Sequence, residues 1–250
     1  MSERTILGIR FFCGSPEEAV SVALAGGLVV VPSAPVLIEL DTNAAQREAL
    51  VESDLAITDS AFMILIWRVL TGERLTRVSG LEYLRLFLKS GVVREPGATF
   101  WIMPTVSSCE RNLRWLQGQR LPVTPEDTYI APFYPAGQIR DEALVARLTK
   151  RSVKHIIIAL GGGTQERLGL YLKRNLPGKP GIHCIGAAIG FCSGDQVNIP
   201  VWADWLYLSW LLRCLYAPSK FVPRYWRARR LASLMFRYRA DMPPLVTDAS

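Results

Sequence analysis

Histidine is nearly missing from this chain: its 250 residues include two, His155 and His183. The five cysteines (Cys13, Cys109, Cys184, Cys192, Cys214) are odd in number and scattered, with no Cys-x-x-Cys pair. These shortages argue against a disulfide scaffold and against a zinc site, and for a reducing compartment. Nor do the histidines complete a Ser-His-Asp set. Both lie in or at the start of apolar strand-like runs, where a core or edge position is the simpler expectation. No run of about 18 uninterrupted apolar residues occurs, so no spanning helix is expected. The apolar patch in residues 1–14 is too short for a signal-peptide core and is followed by no small-residue cleavage site. Internal repeats and low-complexity tracts are absent, as are the Gly-Lys-Ser/Thr of a P-loop and a complete GxGxxG.

Acidic residues are missing from one stretch. Residues 213–239 hold eight Lys and Arg and no Asp or Glu, against a net charge of +7 for the whole chain, so the remainder is close to neutral. Basicity this local points to one anionic surface rather than to a generally basic protein. Its arginines interleave with Tyr225, Trp226, Leu231, Leu234, Met235 and Phe236, and the aromatic, apolar segment 200–216 precedes it. An arginine face opposite an apolar one is the composition of a helix lying on anionic lipid. The same ingredients serve single-stranded nucleic acid, and a basic helix packed on its own domain is the third reading. A membrane surface is the expected partner and nucleic acid is not.

Half of the residues are apolar, enough for a sizeable core. Strand patterns at 28–32, 55–58, 99–103, 127–131, 154–160 and 182–188 alternate with helix patterns at 34–53, 60–70, 81–89, 107–117 and 142–150, and with a further helix after Gly163. This alternation predicts an α/β fold, a parallel sheet with helices on both faces. No linker interrupts the first 195 residues, which are expected to form one domain, with 196–250 as a basic, amphipathic helical appendage.

The chemistry-bearing residues cluster at strand ends. Asp59 closes the run 55–58 just before a helix, where open α/β sheets place their ligands. An N-cap role would explain the same residue. Gly161-Gly162-Gly163-Thr164-Gln165-Glu166 joins the clearest strand to a helix, a setting in which backbone amides can approach a phosphate. A plain strand-to-helix turn is the competing explanation. Gly186-Ala187-Ala188 closes the next strand, and Arg77, ahead of a helix start, could hold an anion.

Taken in order, Ser53-Asp54-Leu55 with Thr58-Asp59, Arg77-Val78-Ser79-Gly80, Leu160-Gly161 with Gln165-Glu166, Gly186-Ala187-Ala188, and Ser209-Trp210-Leu211-Leu212-Arg213 with Pro218 and Arg224-Tyr225 resemble the WecG/TagA/CpsF family of glycosyltransferases. The similarity covers about residues 5–230. The resemblance implies a Rossmann-like catalytic domain and a membrane-associating C-terminal appendage. It also implies inverting, metal-independent transfer of a hexose or N-acetylhexosamine from a UDP-sugar. The implied acceptor is a glycan on undecaprenyl diphosphate at the inner face of a bacterial membrane. No cofactor is implied. Asp59 corresponds to the proposed general base and Arg77 and Gln165 to substrate-holding positions, while Arg213 and Arg224 would approach the diphosphate. Ser33, Gly161, Gly162, Glu166 and Gly186 complete the expected substrate site. A homo-oligomer is left open.

The departures are local. Val31 stands where the family has a threonine and Ser33 where it has an asparagine; Ser60 replaces the glycine after the aspartate, and Gly190 an aspartate. They point to a different donor or acceptor sugar. They also motivate the alternative of a catalytically degenerate relative that binds nucleotide or lipid headgroup and assists a partner enzyme.

Overall fold

The computed structural model describes residues 2–194 and 226–246. The expectations for Arg213, Arg224 and the 200–216 segment lie outside the described residues. The chain opens with a hairpin, β1 (Glu3–Ile6) and β2 (Ile9–Phe12). They pair antiparallel around Leu7-Gly8, whose φ angles of 50° and 74° make the tight mirror-image turn that suits twisted strands. Helix α1 (Pro16–Leu24) follows a capping box: Glu18 N–H donates to Ser15 Oγ at 3.2 Å, and Ser15 N–H to Glu18 Oε2 at 2.8 Å.

The remaining order is β3 (Gly27–Val30), α2 (Ala34–Leu37), α3 (Ala44–Val51), β4 (Leu55–Ile57), α4 (Ala61–Thr71), α5 (Gly80–Phe87), β5 (Thr99–Met103), α6 (Val106–Gly118), β6 (Thr128–Ile130), α7 (Glu142–Arg151), β7 (His155–Ile158), α8 (Thr164–Asn175), β8 (Gly181–Cys184), α9 (Ala188–Ser193) and α10 (Arg230–Tyr238). The single helix expected at 34–53 is two. Asn43 caps the second of them, accepting a bond from Gln46 N–H, and the 38–43 turn separates them.

The described strands form one eight-stranded sheet in the order β1-β2-β4-β3-β8-β7-β5-β6, parallel everywhere except between β1 and β2. This is the expected Rossmann-like α/β fold. A core layer fills each face of the sheet. Leu28, Phe100, Ile156 and Ile182 point into one layer; Val29, Trp101, Ile157 and Ile57 point into the other. Strands buried on both faces read as continuous apolar runs, which is why 154–160 was the clearest strand in the sequence. From β3 the chain steps to β4 on one side, whereas β8, reached last, flanks β3 on the other. That reversal puts the switch point, where open α/β sheets form their ligand crevice, at the carboxyl ends of β3 and β8.

Helix α10 is basic and amphipathic, as expected, but its apolar side faces inward. Ala228, Leu231, Leu234 and Met235 are buried in the same core layer as Met63, Ile64 and Trp67 of α4, and α10 packs on α4. Arg230 pairs with Asp41 at 2.6 Å. Leu7 and Gly8 N–H donate to Arg239 and Ala240 carbonyls at 2.8 and 2.7 Å, so the segment also crosses the hairpin turn. These buried residues therefore cannot be the lipid-facing side that the sequence suggested for them. Within residues 226–246, Trp226 and Phe236 remain exposed on the outward side.

Candidate active site

Four adjacent strands, β4, β3, β8 and β7, end at the crevice, and each delivers one of the expected groups. From β4 comes Asp59, half-buried directly after the fully buried Thr58. The N-cap explanation does not apply to it. The cap of α4 is Ser60, whose Oγ accepts from Met63 N–H at 3.3 Å. The serine that replaces the family's glycine thus fixes the helix start and leaves the neighbouring carboxylate outside the capping role.

The Asp59 carboxylate is instead bonded by the start of the next helix. Its Oδ1 accepts from Gly80 N–H at 3.1 Å, at the first residue of α5. A helix amino terminus favours negative charge there. Arg77 Nε donates to the Asp59 carbonyl at 3.0 Å. Two further bonds fasten this loop to the end of β4, Thr58 Oγ1 to Thr76 carbonyl at 2.5 Å and Val78 N–H to Thr58 carbonyl at 3.2 Å. Gly80 is closely fitted: a Cβ there would lie 3.2 Å from Val31 Cγ1 and 3.7 Å from the Ile185 carbonyl. Its role as the amide holding Asp59 was missed in the sequence, although Ser79 before it is a recognisable helix cap, accepting from Glu82 N–H. Val31 is therefore part of the wall that seats this amide.

From β3 comes Ser33, which begins α2 without a side-chain cap bond. From β7 come the exposed Gly161 and Gly162; a Cβ on Gly162 would meet Val36 at 2.6 Å and lie 3.9 Å from Ser33 Oγ, so the turns after β3 and β7 touch. From β8 comes Gly186, whose φ of 58° suits glycine.

Gln165 and Glu166 face inward. Gln165 Oε1 accepts from Gly186 N–H at 2.6 Å, and its Nε2 donates to Glu166 Oε1 at 3.0 Å. Glu166 Oε2 accepts from Gly163 N–H at 2.6 Å. Burial pushes the Glu166 carboxyl up, opposed by its bonds from Gln165 and backbone amides and by the Arg167 charge. One buried carboxylate thus braces the turns after both β7 and β8, so these two side chains shape the crevice from behind. Arg167, also missed, extends the brace. Its Nε donates to the Gly163 carbonyl at 3.1 Å and its Nη1 to the Pro135 and Gly137 carbonyls of the loop after β6.

Beneath α5 a buried chain runs Tyr83–His183–His155, with Oη to Nδ1 at 2.6 Å and Nε2 to Nδ1 at 3.0 Å. Burial holds the Tyr83 phenol protonated and lowers His183 to about 3 and His155 to about 4. Neutral rings can make both bonds, with Tyr83 donating to His183 and His183 to His155 as one such arrangement. As expected of residues in apolar strands, both histidines are buried in the core.

A sequence model of the family described as Glycosyl transferase WecG/TagA/CpsF matches residues 4–243, from the first hairpin strand to the segment beyond α10. No curated protein matches the chain.

Proposed function

The chain belongs to the WecG/TagA/CpsF family of glycosyltransferases of polysaccharide biosynthesis, and from that membership and its crevice we propose an inverting transfer from a UDP-sugar to a lipid-linked glycan with Asp59 as general base. The observation that carries this reading is the placement of Asp59. It follows β4, the strand beside the switch between β3 and β8, and lies outside the cap of α4 with its carboxylate bonded by the Gly80 amide.

In the proposed step the Asp59 carboxylate takes the proton of the acceptor hydroxyl as that oxygen bonds to the anomeric carbon. The bond from the anomeric carbon to the UDP oxygen breaks on the opposite face, so configuration inverts and UDP leaves as the anion. A general base contributes roughly 10²–10⁴-fold to such a step. The leaving diphosphate needs positive charge or N–H donors. The exposed Gly161-Gly162 turn at the start of α8 is the candidate donor surface, with Ser33 beside it. Arg213 and Arg224 are proposed to add cationic charge, so that no metal ion is required. Arg77 fixes the Asp59 backbone, while Gln165 and Glu166 act by holding the glycine turns in register.

The proposed acceptor, a glycan on undecaprenyl diphosphate, places the protein peripherally at the cytoplasmic membrane face. No helix among the described residues is long and apolar enough to cross a membrane. The test is a screen of UDP-hexoses and UDP-N-acetylhexosamines against polyprenyl-diphosphate glycans, with the anomeric configuration of the product read by NMR. An inverted product from any pair supports the reading. UDP binding without turnover in every pair would favour the degenerate relative that assists a partner enzyme.

A further inference from the structure

Helix α4 buries Met63, Ile64, Ile66 and Trp67, yet its outward side is apolar too. Phe62, Leu65 and Val69 stand at i, i+3 and i+7 on one face and are 39%, 49% and 77% exposed. Single exposed apolar residues are ordinary, but a stripe in register on one helix is a patch that calls for a partner. The neighbouring α10 segment adds Trp226 and Phe236, 63% and 56% exposed. The charge carried by these two elements is mostly cationic. Arg68 of α4 is exposed, as are Arg227, Arg229, Arg237 and Arg239, while Asp241 is the sole acid in residues 226–246. The Arg229 guanidinium lies 3.6 Å from the Trp226 ring centroid, presenting cation and aromatic together.

We propose that the outward sides of α4 and α10 form the face on which the protein docks onto an anionic lipid bilayer. The proposal rests on the lipid-linked acceptor reading above and assigns it a surface built into the catalytic core. Apolar side chains enter the headgroup boundary while arginines meet the acidic headgroups. Phe62 is three residues beyond Asp59, so a bilayer seated on this stripe brings a headgroup-borne diphosphate beside the candidate base. A second copy of the chain is the less fitting occupant: a two-fold interface would set this patch against itself, arginines facing arginines.

The experiment is flotation of the full chain with vesicles of phosphatidylcholine alone and of phosphatidylcholine with phosphatidylglycerol. It compares wild type with the Leu65→Glu/Val69→Glu double variant, and both are checked for melting temperature and solution mass. Wild type should float with the anionic vesicles, less so as salt rises. The double variant should lose about ten-fold or more in apparent affinity at unchanged melting temperature and mass. Equal flotation of the two proteins would overturn the α4 surface while leaving membrane association standing. A wild-type dimer that the substitutions dissociate would overturn it in favour of a second copy. Wild type that floats with neither vesicle would overturn the membrane reading itself.

Discussion

The buried side chains of His183, His155 and Glu166 each make the stability of this protein depend on pH. In the folded chain His183 and His155 titrate near 3 and 4, against an ordinary 6.5. Above about pH 6.5 both are neutral in the folded and unfolded states alike. Below it the unfolded chain takes up protons that the folded one refuses. Stability should therefore fall as pH drops from about 6.5 towards 4 and level off below the folded values, by about 1.4 kcal/mol per pH unit for each proton not taken up. Lys154 and Glu95 also act on His155, in opposite directions. Glu166, raised by burial, works the other way, its contribution growing as pH falls. Comparison with His155→Phe separates the two. Urea unfolding between pH 7 and 5 should give the variant a slope shallower by about 1 kcal/mol per pH unit; equal slopes would contradict the burial argument. The candidate site residues were legible at this scale by their place in the fold but not by the direction of their side chains. Asp59, Ser33, Gly161 and Gly186 lie at strand ends that apolar runs mark clearly. That Ser60 takes the helix cap, and that Gln165 and Glu166 turn inward, depends on tertiary neighbours that no local pattern encodes.

Among the elements, α10 carries the largest difference between pattern and position. An arginine side opposite a leucine side says that a helix will bury one face, not whether lipid or protein buries it. Here Leu231, Leu234 and Met235 complete a core layer beside α4. Leu231→Ala should cost about 2–5 kcal/mol in urea unfolding, whereas a helix held only against lipid would show almost no loss in detergent-free solution. For the same reason, deleting everything beyond Pro218 should unfold much of the chain as well as weaken membrane association. The central strands were legible because Phe100, Ile157 and Ile182 belong to runs buried on both faces. The β1–β2 hairpin was not: four-residue strands around Leu7-Gly8 give too little alternation, and a leucine at positive φ is no turn signal. The break between α2 and α3 hides in Asp41-Thr42-Asn43, polar residues that a helix surface also tolerates.

For the molecule as a whole, one sheet brings the ends of β4, β3, β8 and β7 to a single crevice, and the helix that starts beside Asp59 exposes the stripe proposed to meet the bilayer. The candidate base, the glycine turns and the proposed docking surface are thus set by the same scaffold. The polar brace of Glu166, Gln165 and Arg167 behind the crevice fits a site whose backbone amides must be held in place before charge develops. Asp59 is proposed to accept the proton in sugar transfer, and Asp59→Asn isolates that role. This variant keeps the side-chain shape and an oxygen able to accept from Gly80, while removing the basic carboxylate. Turnover with the donor and acceptor pair that the wild type uses should fall roughly 10²–10⁴-fold, with UDP affinity and melting temperature unchanged. Turnover equal to wild type would contradict the account.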